Sequence, residues 1–294
     1  MTTTTAPART GHSAGRGVTF GGVLRSEWIK LRSLRSTWWC FAIMLVVIVG
    51  FGALLGASAG FTTGGAAPSG DQAQQITVFS ATGGIAFGQL VAAVLGALVI
   101  TGEYGTGMIR STFTAVPRRT SAVVAKLLLV TLSTFVVSLV AVLLALLVTR
   151  PMLAGIDVEA DLGDGDLWLA LVAAAGSVAL IGAIGFGLGS IIRLSAAAVA
   201  TGIGIVFVLP ILFQILILSV GMDKAWPANL QEFSPSQAAT RMYEYQVEGQ
   251  AGLLTGVAVD GAIVLEPWQA GLVLVGWAVL LLVIGLALVK RRDV

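Results

Sequence analysis

The chain has 294 residues, of which 56% are hydrophobic and 11% charged, with a formal net charge of +2. A soluble domain carries about 25% charged residues, so this composition excludes an ordinary water-soluble fold. Cys40 is the only cysteine and His12 the only histidine, which excludes an internal disulfide and argues against haem ligation or a Ser/His protease within the membrane. Cys40 reads as a small apolar packing residue.

Residues 1–18 are rich in Thr, Ala and Gly and read as a disordered tail. Residues 19–37 form a candidate amphipathic helix. At 100° per residue, Phe20, Leu24, Trp28, Leu31, Leu34 and Trp38 share one apolar arc, flanked by Arg25, Lys30 and Arg32. Such a helix lies in a membrane surface; the alternative is a plain basic flank. Glu27 falls inside the arc, where a pairing with Lys30 or Arg35, or contact with a protein partner, would explain it.

Six apolar runs follow, at 38–59, 80–101, 122–148, 167–189, 196–220 and 268–289. A span takes about 20 residues, so the expected fold is an all-α integral membrane protein of six transmembrane helices occupying 38–294. A leader of this length followed by so long an apolar run does not fit a cleaved signal peptide, although Ala57-Ser58-Ala59 resembles a cleavage site. All the charged side chains are read as lying outside the apolar runs. With the N-terminus inside, 14 of the 17 Lys and Arg residues fall on one side, all except Arg150, Lys224 and Arg241. That asymmetry places both termini in the cytoplasm.

The first span carries Gly52, Gly56 and Gly60, the second begins near Gly84 and Gly88, and the fourth has Gly182, Gly185, Gly187 and Gly189. Small residues four apart allow close helix approach in lipid. Residues 60–79 read as a flexible outer loop. Residues 150–166 hold five carboxylates without the spacing of a calcium loop, and read as solvated. In the outer segment 221–267, Ser234 and Pro235 predict a helix start, with Ser236 to Gln246 following. The apolar stretch 252–265 is too short to cross and reads as re-entrant or packed on the bundle.

The interior is expected to hold no charge at mid-membrane, which disfavours proton coupling. No GxxxxGK[ST] sequence is present, so ATP is not bound by that loop. Gln89 and Gln214 are the largest polar groups inside the spans, and Pro210 is expected to bend the fifth. These three are candidates for a pathway lining; bonding between helices is the alternative.

One inner loop, 101–120, is complex. Gly102 and Gly105 flank Glu103 as flexible points, Thr106 is placed to cap a short helix, and Met108, Ile109, Thr112 and Phe113 give that helix an apolar side. The alternative is an ordinary interfacial turn. Glu103, Gly105-Thr106, Arg110, Pro117, Arg119 and Lys126 resemble the loop motif of ABC type-2 exporter permeases. Arg25-Ser-Glu-Trp-Ile-Lys-Leu-Arg-Ser33 resembles that family's N-terminal helix. Phe233-Ser-Pro-Ser-Gln-Ala238 and Lys290-Arg-Arg-Asp293 resemble two further stretches of it. The likeness runs over residues 20–294.

The resemblance implies a permease subunit of the cell membrane that is not itself an enzyme and carries no cofactor, with ATP and magnesium on a separate cytoplasmic ATPase subunit. It implies a second permease copy, identical or paralogous. It makes 105–116 a coupling helix that docks on the ATPase, with Glu103 transmitting movement. The helix bearing Leu24, Glu27, Trp28 and Leu31 would also touch the ATPase, and 221–267 would cap the outer exit. Export of a hydrophobic or amphipathic substrate is the expected activity. The rivals are an ion-coupled carrier or channel, and a scaffold that transports nothing. No nucleic acid partner is expected.

Overall fold

The chain is described by a computed structural model over residues 19–62, 68, 70–108, 119–221, 224–247 and 261–291. The first helix, α1 (Phe20–Ser33), starts at Thr19, whose hydroxyl accepts from the Gly22 amide and meets one of the donors a helix start leaves open. Leu34 takes an extended conformation and ends it, and α2 (Arg35–Thr62) begins at the next residue. The expected surface helix is therefore separated from the first span by a single-residue hinge.

The second crossing is broken. Helix α3 (Asp71–Thr82) and helix α4 (Ile85–Gly105) meet at Gly83–Gly84. Residues 71–79 are thus helical, and Ala73, Gln74, Gln75, Thr77 and Val78 are buried, so the expected flexible loop is shorter than the composition suggested. The polar side chains that made the segment look solvated turn towards the bundle. At the break, a Cβ on Gly84 would lie 2.4 Å from the Ile48 Cα, so only glycine lets α2 pass this close.

Helix α5 (Arg119–Ala154) continues past Pro151, and α6 (Gly165–Ile192) is capped by Asp164, whose carboxylate accepts from the Asp166 amide. The fifth crossing consists of α7 (Ser195–Ile203), a π-turn at Gly204–Val208 and α8 (Leu209–Val220). The Leu209 amide reaches back five residues to the Gly204 carbonyl, just before Pro210, which has no amide of its own to donate. The irregularity expected from Pro210 takes this form. Two short helices follow, α9 (Ala225–Glu232) and α10 (Pro235–Arg241), and then α11 (Pro267–Arg291). Ser234 caps α10 as expected, but that helix ends at Arg241 rather than running on to Gln246.

Six helical stretches are long and apolar enough to cross a membrane, and no strand occurs among the described residues. Helix α6 is the centre, packed by α4, α5 and α11, while α2 rests on α5. The α4–α6 contact is made by backbone. A Cβ on Gly96 would lie 2.0 Å from the Gly182 oxygen, and one on Gly185 would lie 2.2 Å from the Ala93 oxygen. Gly182, Gly185 and Gly189 of the fourth span serve this contact, while Gly187 admits Leu281 of α11. Gly52 and Gly56 similarly admit Ala145 and Thr149 of α5.

The segment expected outside the last span folds into the bundle. Ala238 and Ala239 are fully buried against Ile181, Ile184, Leu274 and Ala278, and the Trp277 indole donates to the Phe233 carbonyl at 2.9 Å. The apolar stretch read as re-entrant, 252–265, lies outside the described residues as far as 260, and it is 225–241 that packs inward.

Gly96→Ala should destabilise the folded protein by about 1–3 kcal/mol through overpacking. Gly50→Ala, where a Cβ meets nothing within 4 Å, should be neutral or stabilising. Thermal unfolding of both variants in detergent checks the pair.

Candidate functional site

Helix α1 turns most of its expected apolar arc away from the protein. Val23, Glu27 and Leu31 are the buried face, while Phe20, Trp28, Leu34 and Trp38 are exposed and Leu24 is half-buried. The buried stripe follows the i, i+4 spacing of one helix face. It sits against Ala122 and Ala125 at the start of α5, small enough to admit it. Glu27, inside the expected arc, faces the protein there.

Glu27 there meets two ammonium groups. Its two carboxylate oxygens accept from Lys30 Nζ at 2.7 Å and from Lys126 Nζ. Lys126 also donates to Glu103 Oε1 at 2.8 Å, and Lys30 reaches the same oxygen at 3.2 Å. Glu27, Glu103 and Lys126 are only 4%, 4% and 6% exposed. Two carboxylates and two ammoniums make a neutral cluster binding α1, the end of α4 and the start of α5. Such pairs are worth little as net stability, but removing one partner strands a buried charge. Burial works to lower the Lys30 pKa; the hydrogen bond to Glu27 and the charges of Glu103 and Glu27 outweigh it, so the ammonium is held above its ordinary value.

The sequence-level expectation that all charges lie outside the apolar runs fails at Lys126, which lies within α5 and is buried. A lone lysine in an apolar run demands a carboxylate. That was the available signal, and the fold supplies Glu27 and Glu103 as the partners. The pairing of Glu27 with Lys30 follows the expectation, and the pairing with Lys126 adds to it.

Gly102 and Gly105 are not flexible points, because α4 runs through both. The Thr106 hydroxyl donates back to the Gly102 carbonyl at 2.9 Å, Gly107, with φ at 71°, ends α4 in the left-handed conformation, and Met108 is helical again. Met108 is exposed. Ile109, Arg110, Phe113 and Pro117 lie outside the described residues, as does the expected docking helix beyond Met108, and Arg119 begins α5. Beside this end of α4, the Arg193 guanidinium lies 4.9 Å from the Tyr104 ring centroid and donates to the Leu288 carbonyl.

The expected pathway residues are not brought together. Gln89 is 2% exposed and donates to Ser177 between α4 and α6, whereas Gln214 is exposed on α8 and Pro210 is half-buried. A helix-to-helix bond accounts for Gln89.

A second ionic cluster closes the other end. Arg241 bonds Glu232 and Glu244 at 2.8 Å each, and Glu232 also accepts from the Leu265 amide. Nearby, Asp164 accepts from Gln74 and from the Tyr245 hydroxyl at 2.8 Å. Burial, the bond to Asp164 and the surrounding acids push the Tyr245 phenol pKa well up, which keeps the donor protonated. Asp164 is thus an anchor joining three segments, while Asp157, Glu159, Asp161 and Asp166 remain exposed as expected.

With six apolar crossings, a surface helix locked to the ends of two of them, and a short-helix segment packed against the bundle, the architecture is that of a multi-pass membrane protein. The chain belongs to the ABC-2 family of transporter proteins, whose sequence profile matches residues 22–294. It is the permease of an ABC-type transporter. No curated protein matches the sequence.

Lys126→Met should cost about 3–5 kcal/mol, because two buried acids are left with one half-exposed lysine. Glu27→Gln added to it should restore much of the loss by leaving the Glu103–Lys30 pair, a non-additivity read by thermal unfolding. The raised Lys30 pKa makes its stabilising contribution fully present below 10.5 and lost only as pH climbs through the folded value. Trp28 fluorescence should therefore report α1 docked at every pH up to the ordinary lysine pKa, and loosened only above it.

Proposed function

We propose that this permease exports a hydrophobic or amphipathic substrate across the cell membrane, driven by ATP and magnesium on a separate cytoplasmic ATPase subunit. Both termini are cytoplasmic in this reading, following the distribution of Lys and Arg. The end of the bundle carrying the Glu27–Lys126 cluster then faces the ATPase.

The observation that carries the proposal is the neutral cluster itself. It fastens α1, α4 and α5 into one block on both sides of segment 109–118. A subunit pushing on that segment would move the block as a rigid body, because shifting one helix alone would strand a buried charge. Residues 105–116 are the proposed docking segment, with Met108, Ile109, Arg110 and Phe113 as its contacts and Glu103 as the residue that passes the movement to α4. Export follows when nucleotide binding favours the outward-open arrangement over the inward one.

A second permease copy completes the transporter. The face formed by α7, the π-turn and α8 is the least covered of the crossings, and it exposes Thr201, Gln214 and Ser219 among apolar side chains. An amide turned towards hydrocarbon is costly, and a partner helix supplies its hydrogen bonds.

Phe113→Asp should abolish ATPase stimulation by substrate in the reconstituted complex and leave insertion and folding unchanged. Normal transport by both Phe113→Asp and Glu103→Ala would refute the coupling assignment. Orientation is tested separately in a Cys40→Ser background carrying Thr106→Cys. A membrane-impermeant maleimide should label inside-out vesicles and spare right-side-out cells.

A further inference from the structure

Arg150 lies near the far end of α5, about 36 Å from Lys126 at ~1.5 Å per residue. The hydrocarbon core of a bilayer is about 30 Å thick, so a crossing that starts beside Lys126 brings Arg150 to headgroup level at the opposite membrane face. The Arg150 guanidinium is exposed and has neither an ion pair nor a hydrogen bond among the described residues. The carboxylate of Glu159, in the turn between α5 and α6, is exposed and has none among them either.

Arg150 borders two hollows. One is a groove of about 400 Å³ in the apolar surface of α5, walled by the exposed side chains of Val140, Leu143, Leu144, Leu147, Leu162 and Trp168. That volume is in the range of small-molecule sites. The Trp168 indole donates to the Leu162 carbonyl at 2.9 Å, which holds the end of the wall in place; tryptophan is enriched at this level of a membrane. The other hollow, of about 190 Å³, is shared by Arg150 with Glu159 and Thr77. The Thr77 hydroxyl already donates to the Ala73 carbonyl at 2.8 Å. The guanidinium and the carboxylate are left as free groups, one charge of each sign above an apolar trough.

We propose that the groove and the hollow together seat one zwitterionic membrane phospholipid. Its phosphate accepts from the Arg150 guanidinium, whose planar fork matches a phosphodiester. Its cationic group lies towards Glu159. One acyl chain runs along Leu147, Leu144 and Val140, which share a helix face at three- and four-residue spacing. A net-anionic phospholipid would satisfy the arginine as well, but its surplus charge would meet Glu159 and the exposed Asp157 and Asp161 with like sign. The assignment rests on the bundle crossing a membrane, and not on the direction of transport or on the segment proposed to dock the ATPase.

The test uses the full chain reconstituted in vesicles of equal parts phosphatidylcholine and phosphatidylglycerol, re-extracted in mild detergent, with retained lipid quantified by mass spectrometry. The unsubstituted protein should keep phosphatidylcholine about threefold over phosphatidylglycerol, the worth of one exposed ion pair. Arg150→Gln should lower retention of both lipids about tenfold, because the phosphate is common to them. Glu159→Gln should abolish the preference while lipid is still retained. Leu144→Trp fills the groove and should empty it of lipid, whereas Leu272→Trp, at an exposed apolar position of α11 outside the groove, should not. All four substitutions replace exposed side chains, and unchanged thermal unfolding separates the lipid readout from folding. Preferential retention of phosphatidylglycerol by the unsubstituted protein overturns the proposal. So does retention that Arg150→Gln leaves unchanged, or that Leu144→Trp and Leu272→Trp lower alike, the mark of an unspecific lipid annulus.

Discussion

The Lys126 ammonium is buried inside a helix, and Glu27 and Glu103 are the carboxylates that hold it. One comes from the surface helix and the other from the end of the second crossing. Without this lysine the two acids would share Lys30 alone, and the lysine would not be tolerable without them. This mutual dependence fixes where α1 sits, which face it turns inward, and how the ends of α4 and α5 are spaced. Lys30 supplies the fourth charge and makes the group neutral, so the cluster exerts little long-range field.

Behind that block the bundle is rigid for a different reason. Helices α4 and α6 touch backbone to backbone at Gly96, Gly182 and Gly185, with no side chain to compress between them. In lipid there is no hydrophobic drive to hold helices together, and close van der Waals packing takes its place. The cluster is therefore attached to a core of closely packed helices. The fifth crossing is the contrast. A π-turn interrupts it, most of its surface is uncovered, and it exposes the polar side chains of Thr201, Gln214 and Ser219.

Charge is also buried at the far end, around Arg241, and Asp164 there collects donors from α3 and from the segment after α10. The two clusters lie at opposite ends of the crossings, and the middle of the bundle is held by apolar and small residues. The interior thus meets the cost of burying charge only where the charge links separate segments.

Six crossings, their order and the helical class were legible in the sequence, because apolar run length is a local property and the bilayer sets its scale. The glycine spacing likewise announced close packing, and Ser234-Pro235 a helix start. The burial of Glu27 on α1, the helix at 71–79, the passage of α4 through Gly102 and Gly105, and the inward fold of 225–241 were decided by tertiary structure. In each case the local pattern was ambiguous. Glu27 in an apolar arc, glutamines near a loop, and glycines beside a carboxylate have a different meaning once a partner helix arrives. Lys126 is the clearest example: the chain shows a lysine at the edge of an apolar run, and only the fold supplies two acids, one from 99 residues away, to make its burial possible.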